Sequence, residues 1–344
     1  MRKHILLFAE ALLNSYSILF FSQSSILAVL LLIASFFNPA AGLAGLLCLC
    51  FALVMVKTLG FTKNNIQAGL YTFNALLLGI GLGTFFHLNT AFWPWTAVAC
   101  IISVVLTVTL THKLNKAGLP ALSLPFILVF WLMLLASNGY GQMGLEPKAS
   151  YMLNELSVQP YHETNLLFTL IDSFPLPYYI KLFFRAVSAV LFQDSVATGI
   201  IISIGILIHS RISFSLLIIG FASACLMNYV LQIYPEGLGH YHLGVNFMIT
   251  AMAIGSSFLI PSWRSYVCAI ISIPLAYMIT GAFSHLLEPY HLPVLSLPFC
   301  FLVILSVYFF QLRAYPEKLQ LTSFQHYSPE TNFCLLYTSD AADE

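Results

Sequence analysis

Charge is what this chain most lacks. Of its 344 residues only 8% are Asp, Glu, Lys or Arg, 13 of each sign, for a formal net charge of zero. Soluble domains carry about 25% charged residues, so this chain cannot cover itself with a polar surface. Without a basic excess, no face recommends itself for nucleic acid. Seven cysteines (Cys48, Cys50, Cys100, Cys225, Cys268, Cys300 and Cys334) show no metal or redox spacing, since Cys48-Leu49-Cys50 is C-x-C, and most sit inside apolar runs. They read as buried thiols. The chain also has no Gly-rich phosphate loop, no nucleophile elbow and no carboxylate pair at usable spacing. It therefore offers no catalytic residue, no metal site and no cofactor site, and it does not read as an enzyme. No small-residue cleavage site of secretory type follows the first apolar run.

What fills the chain instead is hydrophobic: 59% of residues, with a mean hydropathy of +0.89. Apolar runs such as Ile26–Phe37, Leu43–Val56, Ala97–Leu110 and Leu295–Phe310 are separated by short polar stretches. In hydrocarbon the backbone must satisfy itself, so runs of this kind mean an all-α polytopic membrane protein. The Arg2-Lys3 pair points to a cytoplasmic N-terminus by the positive-inside rule.

The chain is also written twice. Residues 119–126 read LPALSLPF and residues 292–299 read LPVLSLPF. TFNALLLGIGLG (72–83) is echoed by GVNFMITAMAIG (244–255), Asn74 falling on Asn246, and FSQSSILAVLLLIA (21–34) runs against FQDSVATGIIISIG (192–205). Glu163-Thr164-Asn165 returns as Glu330-Thr331-Asn332. The matches keep their order and spacing, which marks one internal duplication. Each half offers six apolar segments: 5–21, 25–37, 42–59, 69–87, 92–110 and 121–137, then 176–192, 196–209, 213–231, 243–260, 265–283 and 294–311. An odd number of crossings plus one partial helix per half would invert the second copy and set a pathway on the pseudo-two-fold axis. The expected organisation is a first membrane repeat at 1–137, a polar linker at 138–175 and a second, inverted repeat at 176–333. Residues 334–344 are read as a non-native or disordered tail.

The repeated phrase has a structural reading and a functional one. Ser123 and Ser296 are candidate N-caps, Pro125 and Pro298 suit a first helical turn, and Pro120 and Pro293 end or bend what precedes. A helix start inside hydrocarbon leaves N–H groups without partners, so it must face protein or a polar passage. Two symmetric starts, each with a hydroxyl and neither with a charge, suit a small neutral hydrogen-bonding solute better than an ion. Asn74 and Asn246 read as hydrogen bonds between helices, one per half.

GLYTFNALLLGIGLG, LPALSLPF, their diverged second copies, Q-D-S-V-A-T-G at 193–199 and the Ser328-Pro329-Glu330-Thr331-Asn332 ending together resemble the urea transporter family of bacteria and animals. The resemblance covers the chain to about residue 333. It implies a passive channel-like transporter in the cytoplasmic (inner) membrane, a homotrimer with one pore per subunit. Each half would hold five spanning helices and one tilted partial helix. Urea would pass through a flat slot with apolar walls and an edge of oxygen acceptors. The family's central hydroxyls fall on Ser123 and Ser296, both Ser where Thr is usual. Its slot-lining positions fall on Phe73 and Leu77, with Val245 and Ile249 as second-half counterparts, so one aromatic is missing. Its mouth motif pairs a Gln or Glu with a Phe two residues later. These positions fall on Ile18 and Phe20, and on Ala189 and Leu191, so both polar mouth groups are aliphatic here and one Phe is Leu.

Other readings stand beside it. Ser195-Val196-Ala197-Thr198 resembles the S-G-A-T flavin-attachment motif of membrane subunits in ion-pumping oxidoreductases, with Thr198 as the FMN carrier and Val196 where that motif has Gly. His240-Tyr241-His242 reads as a polar loop or a metal ligand pair. His285, Glu288 and His291 bracket a turn before the second phrase. A channel for ammonia or another small solute is the alternative within the same class.

Overall fold

The computed structural model describes residues 2–139, 174–232, 244–314, 319–322 and 328–340. Most of the linker, the Glu163–Asn165 tripeptide and His240–His242 lie outside the described residues.

The described chain is almost wholly helical. In the first half α1 (Arg2–Ser17) ends in a 3-10 turn, Ile18–Phe20, and is followed by α2 (Ser25–Ser35), α3 (Pro39–Thr58) and the short α4 (Lys63–Gln67). Then come α5 (Phe73–Phe85), α6 (Phe92–Asn115) and α7 (Leu124–Ser137). The second half follows the same order. Helix α8 (Tyr178–Ser188) ends in a 3-10 turn, Ala189–Leu191, before α9 (Val196–His209) and α10 (Arg211–Val230). Helix α11 (Val245–Met252) runs into a π-turn, Ala253–Ser257, and α12 (Trp263–Leu287) and α13 (Leu297–Gln311) close the half. A last helix, α14 (Pro329–Asp340), carries on into the stretch set apart as a tail.

Four stretches, Pro39–Thr58, Phe92–Asn115, Arg211–Val230 and Trp263–Tyr290, are long and apolar enough to cross a membrane singly. Two further candidates are bent: α1 meets α2 at 85°, and α8 meets α9 at 81°. The bends have a local cause. Phe21 and Phe192 adopt left-handed backbone (φ 53° and 56°), which ends a helix sharply. Ser24 and Ser195 then cap the next one, accepting from Leu27 N at 3.4 Å and Thr198 N at 3.3 Å. The segments expected at 5–21 and 25–37 are thus the two arms of one bent unit.

Helices α5, α7 and α13 have 13, 14 and 15 residues, about 20–23 Å at 1.5 Å per residue. Alone they fall short of the roughly 30 Å hydrocarbon layer. The segment expected at 69–87 starts late because Gly69 holds φ 75° before α5, and a Cβ there would lie 2.7 Å from the Ser15 amide. Helix α5 is buried from Asn74 to Phe85. A Cβ on Gly79 would come within 2.5 Å of the Ala44 carbonyl, so the glycines let α5 sit directly on α3.

The surface reverses the pattern of a soluble protein. Ile26, Leu47, Val54, Val105, Leu132, Ile208, Ile271 and Leu305 are exposed, as a lipid-facing belt requires. Several buried hydroxyls are satisfied within their own helices: Thr84 donates to Ile80 O at 2.8 Å, Thr107 to Ser103 O at 2.7 Å and Thr280 to Ala276 O at 2.7 Å. Cys48, Cys100 and Cys300 are buried, Cys50, Cys225 and Cys268 half-buried, and Cys334 exposed, none of them in a disulfide. The protein is a multi-pass, all-α membrane protein. The halves meet along α2 against α9, α7 against α13, and α5 against the Ala189–Leu191 turn.

Candidate functional site

The two copies of the Leu-Pro phrase come together where α7 meets α13. Leu122 and Leu295 both hold left-handed backbone, φ 50° and 51°, so each phrase turns sharply just before its serine. Ser123 and Ser296 then take the N-cap positions of α7 and α13, with Pro125 and Pro298 in the first turn. Pro120 lies in the turn between α6 and α7, and the Pro293 carbonyl accepts from Trp131 Nε1 across the halves at 2.8 Å.

The serines occupy the cap positions, but their hydroxyls do not cap. Asn74 does that work for α7. Its Nδ2 donates to Leu122 O and its Oδ1 accepts from Phe126 N, both at 3.3 Å. One carboxamide thereby holds the left-handed turn and satisfies an orphan N–H of the first helical turn. Asn246 repeats half of the arrangement: its Nδ2 donates to Leu295 O at 2.8 Å, while its buried Oδ1 has no partner. Both asparagines bond backbone across helices, but what they brace is the phrase itself.

Freed from capping, the two hydroxyls meet. Ser123 Oγ lies 2.7 Å from Ser296 Oγ and 3.2 Å from Cys300 Sγ. Ser123 is buried and Ser296 half-buried. This contact joins residues 173 positions apart and links the repeated phrase to its own copy.

Phe73 and Leu77 sit on the first turns of α5, either side of the bracing Asn74. Val245 and Ile249 hold the same places around Asn246 on α11. In each pair the first residue is half-buried and the second buried. The mouth residues separate. Ile18 and Ala189 are half-buried, and Ile18 lines a cavity of about 50 Å³. Phe20 is 3% exposed and Leu191 fully buried, so both belong to the core.

The residues that follow, Phe21 and Phe192, make aromatic contacts between the halves. Phe21 packs edge-on to Phe258 (5.6 Å between ring centres) and lies 6.1 Å from Phe299. Phe192 lies 6.0 Å from Phe85, 5.9 Å from Phe126 and 6.3 Å from Phe130. Each left-handed phenylalanine of one half reaches an aromatic group of the other half. The signal for them was present: Phe21 and Phe192 begin the aligned segments 21–34 and 192–205, and Phe126 and Phe299 are the last letters of the repeated phrase.

Thr198 does not fit a flavin carrier. Its hydroxyl is fully buried and donates to Gln193 Oε1 at 2.7 Å. Gln193 Nε2 in turn donates to Ala34 O at 2.9 Å, the C-terminal end of α2. A phosphoester would break this junction and finds no space there. His285 and Glu288 form an exposed pair at 3.6 Å beside the Glu288–Tyr290 turn.

A family model described as "Urea transporter" matches residues 9–311. Among curated proteins, those named Urea transporter 1 from Mus musculus and from Rattus norvegicus are each 24% identical to this chain over 306 residues. That is 88% of this chain and 77% of theirs.

Proposed function

The chain belongs to the urea transporter family, and from that premise we propose that it conducts urea, or a similar small neutral amide, passively across the cytoplasmic (inner) membrane. The reading rests above all on the Ser123–Ser296 hydroxyl pair, held between the halves by side chains other than its own caps. A planar amide has N–H donors and a carbonyl acceptor, and each serine hydroxyl can both accept and donate. Arriving solute replaces the serine–serine bond with one bond to each hydroxyl, and its departure restores the original bond. Exchange of neutral hydrogen bonds costs little net free energy, which suits rapid passage and needs no coupled ion.

Phe73, Leu77, Val245 and Ile249 are the proposed apolar walls, and the Phe21 and Phe192 clusters the approaches on either side. Ile18 and Ala189 contribute no polar group at the mouths, so affinity there is weak or supplied by other residues. The two repeats, 1–137 and an inverted 176–333 joined by 138–175, are taken to assemble as a homotrimer with one slot per subunit.

The test is urea-driven volume recovery of proteoliposomes containing the full chain, followed by stopped-flow light scattering. The comparison is with empty liposomes and with the Ser123→Val/Ser296→Val protein. Saturable urea flux abolished by the double substitution is the expected result. Flux equal to empty liposomes would sink the urea reading, and ammonia or acetamide flux alone would move the slot to that solute.

A further inference from the structure

The chain after residue 311 lies beyond the family match, and part of it closes one mouth of the proposed slot. Thr322 bonds the backbone leaving the π-turn twice: its N–H donates to Phe258 O and its Oγ1 to Ser257 O, both at 3.0 Å. Ile260 N donates to Gln320 O at 3.0 Å, and Leu259 and Leu321 form an antiparallel bridge. Helix α14 is fixed to the body by Glu330, whose Oε1 accepts from Ser210 Oγ at 2.9 Å and from Ile212 N at 3.1 Å at the start of α10.

Two residues further on, Asn332 is placed differently. It is 9% exposed, and its side chain has no hydrogen-bond partner among the described residues. It lines the same cavity of about 50 Å³ as Ile18, Phe21, Gln23, Ser257 and Phe258. A carboxamide that lines a cavity and makes no bond among the described residues keeps its donors and its acceptor available for a solute. Glu330, on the same turn, bonds the body through Oε1 and lies outside the cavity lining. The cavity wall also breaks the repeat. Residues 253–257 form a π-turn, whereas the corresponding part of α5 is regular α-helix, and such π-turns gather at functional positions.

We propose that Asn332 is the amide-recognition residue of this mouth, binding a urea-type amide beside the Phe21–Phe258 ring pair and supplying the polar contact that Ile18 lacks. The inference rests on the transport reading above. The Asn332 carboxamide offers an acceptor oxygen for the solute's N–H and donors for its carbonyl, while the rings and Ile18 exclude other orientations. Solute then moves past Phe21 towards the serine pair.

The experiment measures initial urea flux against urea concentration for the full chain in proteoliposomes. Asn332→Ala is expected to raise the half-saturating concentration about five-fold or more, the equivalent of one neutral hydrogen bond of about 1 kcal/mol. Adding Ile18→Gln, which returns a carboxamide to the same cavity, is expected to bring it back down. A half-saturation unchanged in a folded Asn332→Ala protein overturns the proposal, and so does a rise that Ile18→Gln does not reverse. Should Asn332→Ala fail to fold, Ile18→Gln alone decides: a second amide in the cavity lowers half-saturation if the proposal holds and leaves it unchanged if it does not. Absence of urea flux in the unaltered chain overturns the transport reading together with this one. Flux with an indifferent Asn332 overturns this one alone.

Discussion

At the scale of single residues, the two asparagines make the sharpest comparison. Asn74 forms two hydrogen bonds to the first phrase, through Leu122 O and Phe126 N, whereas Asn246 forms one and leaves its Oδ1 unpartnered. Each lost bond of this sort is worth about 1 kcal/mol, more when a buried partner is stranded. Asn74→Ala should therefore destabilise the protein by about 1 kcal/mol more than Asn246→Ala. Melting in detergent, followed by size-exclusion chromatography of heated samples, reads the difference. Asn74→Ala should also slow urea flux, because the left-handed turn at Leu122 that aims Ser123 at Ser296 is no longer braced. Equal melting of the two variants would show that the braces are interchangeable. Ser123→Ala with Ser296→Ala separates chemistry from bulk. It deletes both hydroxyls without adding volume, so flux is expected to fall while the melt changes little. Unchanged flux would remove the serines from the pathway.

At the scale of elements, the junction of the two bent units matters most. Helix α2 ends in carbonyls that have no partners within the helix. Gln193 supplies one from the other half, and its Oε1 receives the Thr198 hydroxyl at the start of α9. Gln193→Leu removes one of the bonds to the Ala34 carbonyl, which keeps Phe37 N, and strands the Thr198 hydroxyl in a buried site, at a cost of about 1–3 kcal/mol. Thr198→Val added to it removes the stranded hydroxyl and should recover part of the loss. Such non-additivity is expected of residues in contact or in one hydrogen-bond network. A double variant as unstable as the sum of the singles would deny the coupling. The bend itself follows from the left-handed Phe21 and Phe192, whose rings are also the cross-half aromatic contacts. The same two residues thus turn the chain and bring an aromatic side chain to the partner half.

At the scale of the whole molecule, the two halves form one body whose polar contacts between phrases are uncharged. The groups at the centre are two hydroxyls and the Cys300 thiol, with no carboxylate, imidazole or amine among them. Urea flux is accordingly expected to stay flat over roughly pH 6 to 8, the range in which a histidine would switch. It should also be indifferent to an imposed membrane potential, since no charge moves with the solute. Stopped-flow traces at several pH values, with and without a potassium diffusion potential, check this. A steep pH step or a voltage response would require a titratable or charged group in the pathway.

How much of this was legible beforehand depends on what each feature needs. The sequence by itself determined the membrane class, because scarcity of charge leaves no other solvent for so much apolar surface. It showed the collinear matches between the halves as well, because they require no coordinates. The segment positions followed from the spacing of apolar runs, and the serine pair stood out because a hydroxyl recurs at one place in both copies. Tertiary structure alone decided what the hydroxyls do. A serine before Leu-Pro is a helix cap by every local rule, and only the carboxamide of Asn74, 49 positions earlier and on another helix, releases it to face its copy. The same holds at the proposed mouths. Phe20 and Phe21 are adjacent and chemically identical, and the left-handed turn at Phe21 sends one ring to the other half while the neighbouring ring stays in the core. Asn332 is local to nothing it approaches. Its place beside Ile18 exists only because the end of the chain folds back onto its beginning, a closure that depends on both halves at once.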